Sequence, residues 1–417
     1  MSGRALYVCG SCLFRNTSAN MSHHGFVRGL VGNGFEVDVL MPSESFGPLD
    51  PGLPRVSGVR YHLHSGSTIR DAVIARAKGW FDRDPAETPD AGGASGAAPP
   101  DGEGASWRAR LRHVAAGAQA ARRARDPHWP SRAWLRRAAR FSAPRPFDIV
   151  LSNSSPASGH RLAATLLASG RVTADRWLQV WEDPWYHDVY RKGAAPGVLE
   201  EEASLLRAAD EVFYVSPLTL EYQRKHFPDA AAKMGMVPLP AFPARMADRT
   251  ERKTPPVFGY FGDFYSHTRD LSPLFGALRR VGALAEVCGD SDLGVESTDL
   301  LHVRGRVKLS VLAEVEKRVD VLVAVCNVAG GQVPGKIYHY AATDKPVLLV
   351  LDGSSYERGV IRDHFGPLGR FQFCENEAGS IEAALRGFVE GRLPLWARPE
   401  PSFEAGAVVA LLVGGRR

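Results

Sequence analysis

Short uninterrupted apolar runs alternate with stretches of helical spacing along almost the whole chain. Ala5–Cys9 reads as a buried strand, and Met21–Val31 as a helix that Gly32-Asn33-Gly34 stops by supplying left-handed conformers. Phe35–Leu40 is the next strand, so the chain opens with a βαβ unit, the start of a doubly wound parallel sheet. Strands return at Asp148–Leu151 and Trp177–Trp181, with a helix at about Ser158–Ser169 between them. A helix over Glu200–Ala209, a strand over Asp210–Ser216 and a helix to His226 complete this first alternation.

A second alternation begins with "PVFGYFGDF", a strand ending in a glycine loop, and a helix over Leu271–Val281. "LAEVCGD" and "LLHVRGRV" are strands, Leu309–Val319 a helix, and "VDVLVAVCN" a long buried strand. "VPGKIYHYAATDKPVLLVLD" reads as loop, helix and strand, and helices near Ser380–Val389 and Phe403–Val413 close the chain. The fold class is therefore α/β, with two Rossmann-like domains in series. We expect a first domain over 1–240, a polar, Pro-rich linker over 241–256, a second domain over 257–390 and a helical tail over 391–417 that packs back on the first domain.

Composition adds detail. At 417 residues, 44% hydrophobic and 23% charged, the chain is globular and too long for one ordinary core. Residues 84–106 are Gly, Ala, Pro and Asp with almost nothing to bury, and predict a disordered insertion. Apolar runs such as Ala407–Val413 are too short for a membrane span, and no apolar signal core follows the start. With five cysteines, few and odd in number, this points to the cytoplasm. The +5 net charge is unevenly spread: Trp107–Phe147 carries eleven Arg against Asp126 alone, a net of +10, which leaves the remainder at −5. Trp107, Trp129, Trp134 and Phe141 interleave with those arginines, which admits a solvated helical segment or a peripheral contact with the inner face of a membrane. A nucleic-acid partner is disfavoured, since the rest of the chain is acidic and carries no reading motif.

Four motifs carry candidate chemistry. In "GGQVPGKIYHYAATDKP", Gly330, Gly331, Gln332, Val333, Pro334, Gly335 and Lys336 follow a buried strand and lead into a helix starting near Pro334. Free amides and Lys336 there suit an anion, although a plain strand-to-helix turn would use the same glycines. Gly262 and Asp263 end the first strand of the second half, where glycine lets backbone approach a ligand. Arg306 and Val307 lie between a strand and a helix and suit a base edge, or simply a surface. The loop "WEDPWYHD" concentrates Glu182, Asp183, Trp185 and His187 just past a strand, as sugar recognition and proton transfer need, or as a Trp-rich interface would. Ser154 or Ser155 of "SNSSPASGHR" suits a helix cap.

Taken together, the two Rossmann-like halves, the PGK block, "AADEVFYVS", "FGYFGDF" and the "DPW" loop resemble GT-B glycosyltransferases, closest to the retaining, bacterial polysaccharide-type group of family four. The resemblance runs from Leu6 to about Val389 without the insertion. It implies two domains facing across a cleft and transfer of a hexose from a nucleotide-diphosphate sugar to a glycan, lipid-linked or small-molecule acceptor, with no metal or other cofactor. By position it assigns Gly262, Asp263 and the Gly330–Lys336 loop to the diphosphate, and Arg306 and Val307 to the base. His339 stands where many relatives carry a ribose-binding Glu, and Gly331 where they carry its partner eight residues earlier. Asp183 falls where relatives carry an acid or histidine facing the reacting carbon, with Glu182 and His187 as second choices. A departing diphosphate and a cationic sugar carbon need those two kinds of stabilisation.

The same fold also carries sugar-nucleotide epimerases, and the missing Glu pair admits a non-catalytic nucleotide-sugar or glycan-binding protein. Cys9-Gly10-Ser11-Cys12 has the spacing of a redox or zinc motif, but zinc lacks a second ligand pair apart from the adjacent His23 and His24. The resemblance instead makes this loop the first turn of an acceptor domain. Ser11, Asn16, Asn20, His23, His24 and Trp185 are then the acceptor candidates.

Overall fold

The computed structural model describes residues 3–43, 49–66, 126–190, 197–241 and 255–414. The expected insertion at 84–106, the Arg-rich residues 107–125 and nearly all of the expected linker lie outside the described residues. The first sheet has strands β1 (Arg4–Cys9), β2 (Glu36–Pro42), β3 (Arg60–His64), β4 (Phe147–Asn153), β5 (Ala174–Trp181), β6 (Glu211–Tyr214) and β7 (Met234–Met236). The second has β8 (Val257–Phe261), β9 (Leu284–Cys288), β10 (Leu301–Arg304), β11 (Val321–Val325), β12 (Val347–Leu351) and β13 (Phe371–Glu375). All neighbouring strands pair in parallel. Their orders are β3-β2-β1-β4-β5-β6-β7 and β10-β9-β8-β11-β12-β13. Counted within its own domain, each sheet therefore runs third, second, first, fourth, and so on. Each has one point where the order reverses, between β1 and β4 and between β8 and β11, and ligands of such sheets bind outside the strand ends at that point.

Eleven helices among the described residues cover the sheets. They are α1 (Ser18–Gly32), α2 (Arg132–Ala138), α3 (Ser158–Ala168), α4 (Val198–Ala208), α5 (Pro217–His226), α6 (Ser272–Val281), α7 (Leu309–Lys317), α8 (Lys336–Ala341), α9 (Ser355–Phe365), α10 (Ala378–Val389) and α11 (Ala405–Val413). Because both faces are covered, the central strands are apolar throughout: β11 and β12 are wholly buried. One apolar cluster continues across both domains, joining Leu13, Val215 and Leu218 of the first to Val333, Ile337 and Tyr338 of the second. Tyr338 Oη donates to Val215 O at 2.6 Å, and Ser216 Oγ to Gly331 O at 2.6 Å.

The tail returns to the first domain. α11 lies on α1, Asn33 Nδ2 donates to Gly406 O at 2.9 Å, and Arg176 Nη1 to Val413 O at 2.7 Å. Arg370, 7% exposed, holds the end of α8 by donating to the carbonyls of Tyr340, Ala341, Thr343, Lys345 and Arg398. Burial draws its pKa down to about 10, which leaves it a cation at neutral pH.

Candidate functional site

The reversal point of the second sheet opens on a cavity of about 320 Å³. Gly262 and Asp263 after β8, Arg306 and Val307 after β10, and Pro334, Gly335, Lys336 and His339 around the start of α8 line it. Asn16, Thr17 and Ser18 of the first domain close the opposite side. Lys336 is the key cation. Its Nζ is shut off from solvent, meets no hydrogen-bond acceptor among the described residues, and rests 3.8 Å from the centroid of the Tyr260 ring. Burial, then the neighbouring Arg269, push its pKa well below that of free lysine, while Asp263 pulls it up. An oxyanion beside Nζ would restore the charged form.

Gly262 is fixed by this geometry. Its φ is +139°, and a Cβ there would stand 2.5 Å from Lys336 Nζ, so any side chain would be strained and would push the cation aside. Helix α8 has only six residues and starts at Lys336, two residues past Pro334. Anion binding at this cavity therefore rests on Lys336 rather than on a long helix terminus. Asp263 is committed: it pairs with Arg306, and its Oδ1 accepts from Asp290 N at 3.1 Å. Arg306 Nη1 also donates to Asn16 O at 3.2 Å, and Asn16 Nδ2 to Val307 O at 3.1 Å, which ties the first domain to the edge of the cavity. His339 lines the same cavity with Nε2 buried, and burial lowers its pKa to about 4. It is therefore neutral at physiological pH, one ring nitrogen donating and the other accepting.

Gly330, Gly331 and Gln332 lie against the first domain instead of lining this cavity. Gly331 (φ +65°) stands where a Cβ would come within 2.5 Å of Leu218 Cβ. Gln332 Nε2 donates to Asp188 Oδ1 at 3.3 Å, and Tyr190 Oη to Ala329 O at 2.7 Å. Val333 is buried in the shared core.

The first sheet has its own cavity at its reversal point, of about 340 Å³. The turn after β1, with Ser11 and Cys12, forms one wall, and Ser155 and Pro156 after β4 form the other. Ser11 Oγ donates to Asn20 Oδ1 at 2.8 Å, and Asn20 Nδ2 to Arg15 O at 3.0 Å, fixing the loop. Thr17, the N-cap of α1, lines both cavities, so the two meet at that residue. Cys9 and Cys12 are buried free thiols whose pKa burial raises, the reverse of a reactive C-x-x-C.

The remaining candidates line neither cavity. Burial, then Asp183, push Glu182 well above the usual carboxylate range, and its Oε1 meets no hydrogen-bond partner among the described residues. Asp183 begins the half-buried 183–190 loop that reaches the second domain through Asp188 and Tyr190. His187 packs among Tyr186, Tyr222 and His226, with ring centroids 4.8, 5.4 and 4.3 Å away, and burial lowers its pKa. Trp185 is 5% exposed, stacks near His128 and donates its backbone N–H to Glu202. His23 is fully buried and accepts from Tyr7 Oη at Nδ1, 2.6 Å away, while Tyr7 accepts from Asn153. His24 is 2% exposed against Phe14. Burial holds the two histidines at about 3 and about 4, so both are neutral interior side chains.

Among the polar cavity residues, Arg269 and Glu316 escaped the sequence reading. Arg269 stands in a polar loop without a motif, although it follows the "FGDF" turn and donates to Asp263 O and Asn327 Oδ1. Glu316 shares a face of α7 with Leu309 and Leu312, and only the placement of that helix brings the face to the cavity.

No family model and no curated protein matches the chain. Among solved structures, a glycosyltransferase from Rickettsia africae is similar at 11% identity, covering 99% of this chain and 97% of that one, with a TM-score of 0.46. An E. coli trehalose-6-phosphate structure bound with UDP-2-fluoro glucose is similar at 12% identity, 99% and 95% coverage and a TM-score of 0.49. A UDP-N-acetylglucosamine 2-epimerase, so described, from Listeria monocytogenes is similar at 9% identity, 99% and 95% coverage and a TM-score of 0.41. At these scores the architecture rests on the chain's own strand order: two parallel, Rossmann-like sheets that share an apolar cluster and together line one cavity.

Proposed function

We propose that the chain is a glycosyltransferase that moves a hexose from a nucleotide-diphosphate sugar to an acceptor, without a metal and with retention at the anomeric carbon. The observation that carries this reading is the meeting of two reversal-point cavities, one from each domain, at Thr17. A group transfer between two bound molecules needs two such sites in contact, because positioning both reactants removes most of the entropic barrier. The donor belongs to the second domain. Lys336 takes the diphosphate beside Gly262, Val307 and Leu312 give the base an apolar wall, and neutral His339 serves the ribose hydroxyls. Asp183 stabilises positive charge on the sugar carbon, a task for which Glu182, whose pKa burial raises, is less suited. The acceptor belongs beside Ser11 and Asn20.

The test is incubation of the full chain with a panel of nucleotide sugars, with and without sugar acceptors, following nucleoside diphosphate release and product by mass spectrometry. Acceptor-dependent release with a mass gain of one hexose supports the reading. A new sugar isomer without acceptor makes the chain an epimerase, and binding without turnover of any donor makes it a binding protein.

A further inference from the structure

The first-domain cavity has a one-sided hydrogen-bonding character. Arg15 and Trp134 both line it, and both side chains can only donate. Trp134 is 1% exposed, and its Nε1–H meets no acceptor among the described residues, a cost that a ligand oxygen would remove. Hydroxyls of Ser11, Thr17, Ser131 and Ser155 and the amide of Asn20 complete the polar lining, and no carboxylate is among the lining residues described. Outside the cavity arginines outnumber acids, with Asp126 paired to Arg132. Trp134 and Ala138 are the buried face of α2, and Arg132, Arg136 and Arg137 flank them. Arg137 Nη1 donates to Ser65 O at 2.9 Å, next to Gly66 on the cavity wall. The Arg-rich pattern in the sequence thus ends, in its described part, at the rim of this cavity. A cation, the donor-only Trp134 N–H and adaptable hydroxyls inside, with arginines at the rim and no carboxylate in the lining described, favour an oxyanion.

We infer that the acceptor carries an oxyanion, a phosphate monoester or a carboxylate, and that Arg15 and Trp134 hold it in this cavity. The inference rests on the glycosyltransferase reading for the word acceptor, and on the cavity alone for the charge. A lipid-linked phosphate and a free sugar phosphate present the same chemistry.

Calorimetric titration of the full chain with hexose 6-phosphates, uronic acids and the parent hexoses tests it, with phosphatidic acid against phosphatidylcholine vesicles as the lipid arm. At least one anionic sugar should bind about tenfold or more tighter than its neutral parent. Alternatively, phosphatidic acid vesicles alone should bind, which assigns the phosphate to a lipid. In either arm Arg15→Gln should remove the preference, Arg15→Lys should restore part of it, and Trp134→Phe should weaken it with the charge intact. Equal binding of anionic and neutral probes, no binding in either arm, or a preference unchanged in both Arg15→Gln and Trp134→Phe would overturn the inference. Titrating the same proteins with nucleoside diphosphates reports separately on the second-domain cavity. Loss of that signal in the wild type sinks the donor assignment and leaves the oxyanion assignment standing.

Discussion

The two cavities occupy equivalent places in two sheets of the same strand order, yet they are lined by opposite devices. The second-domain cavity has a buried Lys336 with no acceptor among the described residues over an aromatic face, and one of its two lining carboxylates, Asp263, is tied up by Arg306. The first-domain cavity has no buried lysine, but small hydroxyls, Arg15 and the indole of Trp134. Topology therefore decides where a ligand sits, and the few residues after each strand decide which ligand it is.

Removing the carboxylate proposed to face the reacting sugar carbon should have the largest effect. Asp183→Asn is expected to lower kcat by on the order of 10²-fold or more, measured with saturating donor and acceptor. Next comes the support beneath the donor cavity. Arg370→Met leaves several buried carbonyls without their donor and should cost roughly 3 kcal/mol, read as a shift of the urea midpoint. Lys336→Met should weaken nucleoside diphosphate binding by about 10- to 100-fold, as expected for a lost charge-assisted contact, and leave the urea midpoint much less affected than Arg370→Met does. The contacts that hold the two cavities together are worth least: Asn16→Ala removes one bond to Val307 O and should cost under about 1 kcal/mol.

The fold was legible because parallel strands covered on both faces are continuous apolar runs, as in β1, β11 and β12. What the reading passed over lacks that signature. β3 and β13 are edge strands with mostly half-buried residues, and β7 has three residues. α9 buries only Ile361 and Phe365, although its Ser354/Glu357 capping box announces its start. Site residues next to strand ends, such as Gly262, Arg306 and Lys336, could be named from sequence because strand ends of a doubly wound sheet face its crevice. Arg269 and Glu316 could not, because loop course and helix orientation bring them there. Trp185, His23 and His24 show the converse: residues rich in chemistry whose side chains are enclosed by packing, which no local pattern distinguishes from a site.

Nucleoside diphosphate titration across pH, in the wild type and Lys336→Met, tests the two-cavity reading most directly. In the free site Lys336 has a depressed pKa, and a bound diphosphate raises it, so binding takes up a proton. Affinity should therefore be greatest below the depressed pKa and fall as pH rises from it toward the ordinary lysine range. Lys336→Met should bind more weakly and lose that part of the pH dependence. Wild-type binding that is independent of pH above neutrality and equal to that of Lys336→Met would contradict the donor site, and with it the transfer between the two domains.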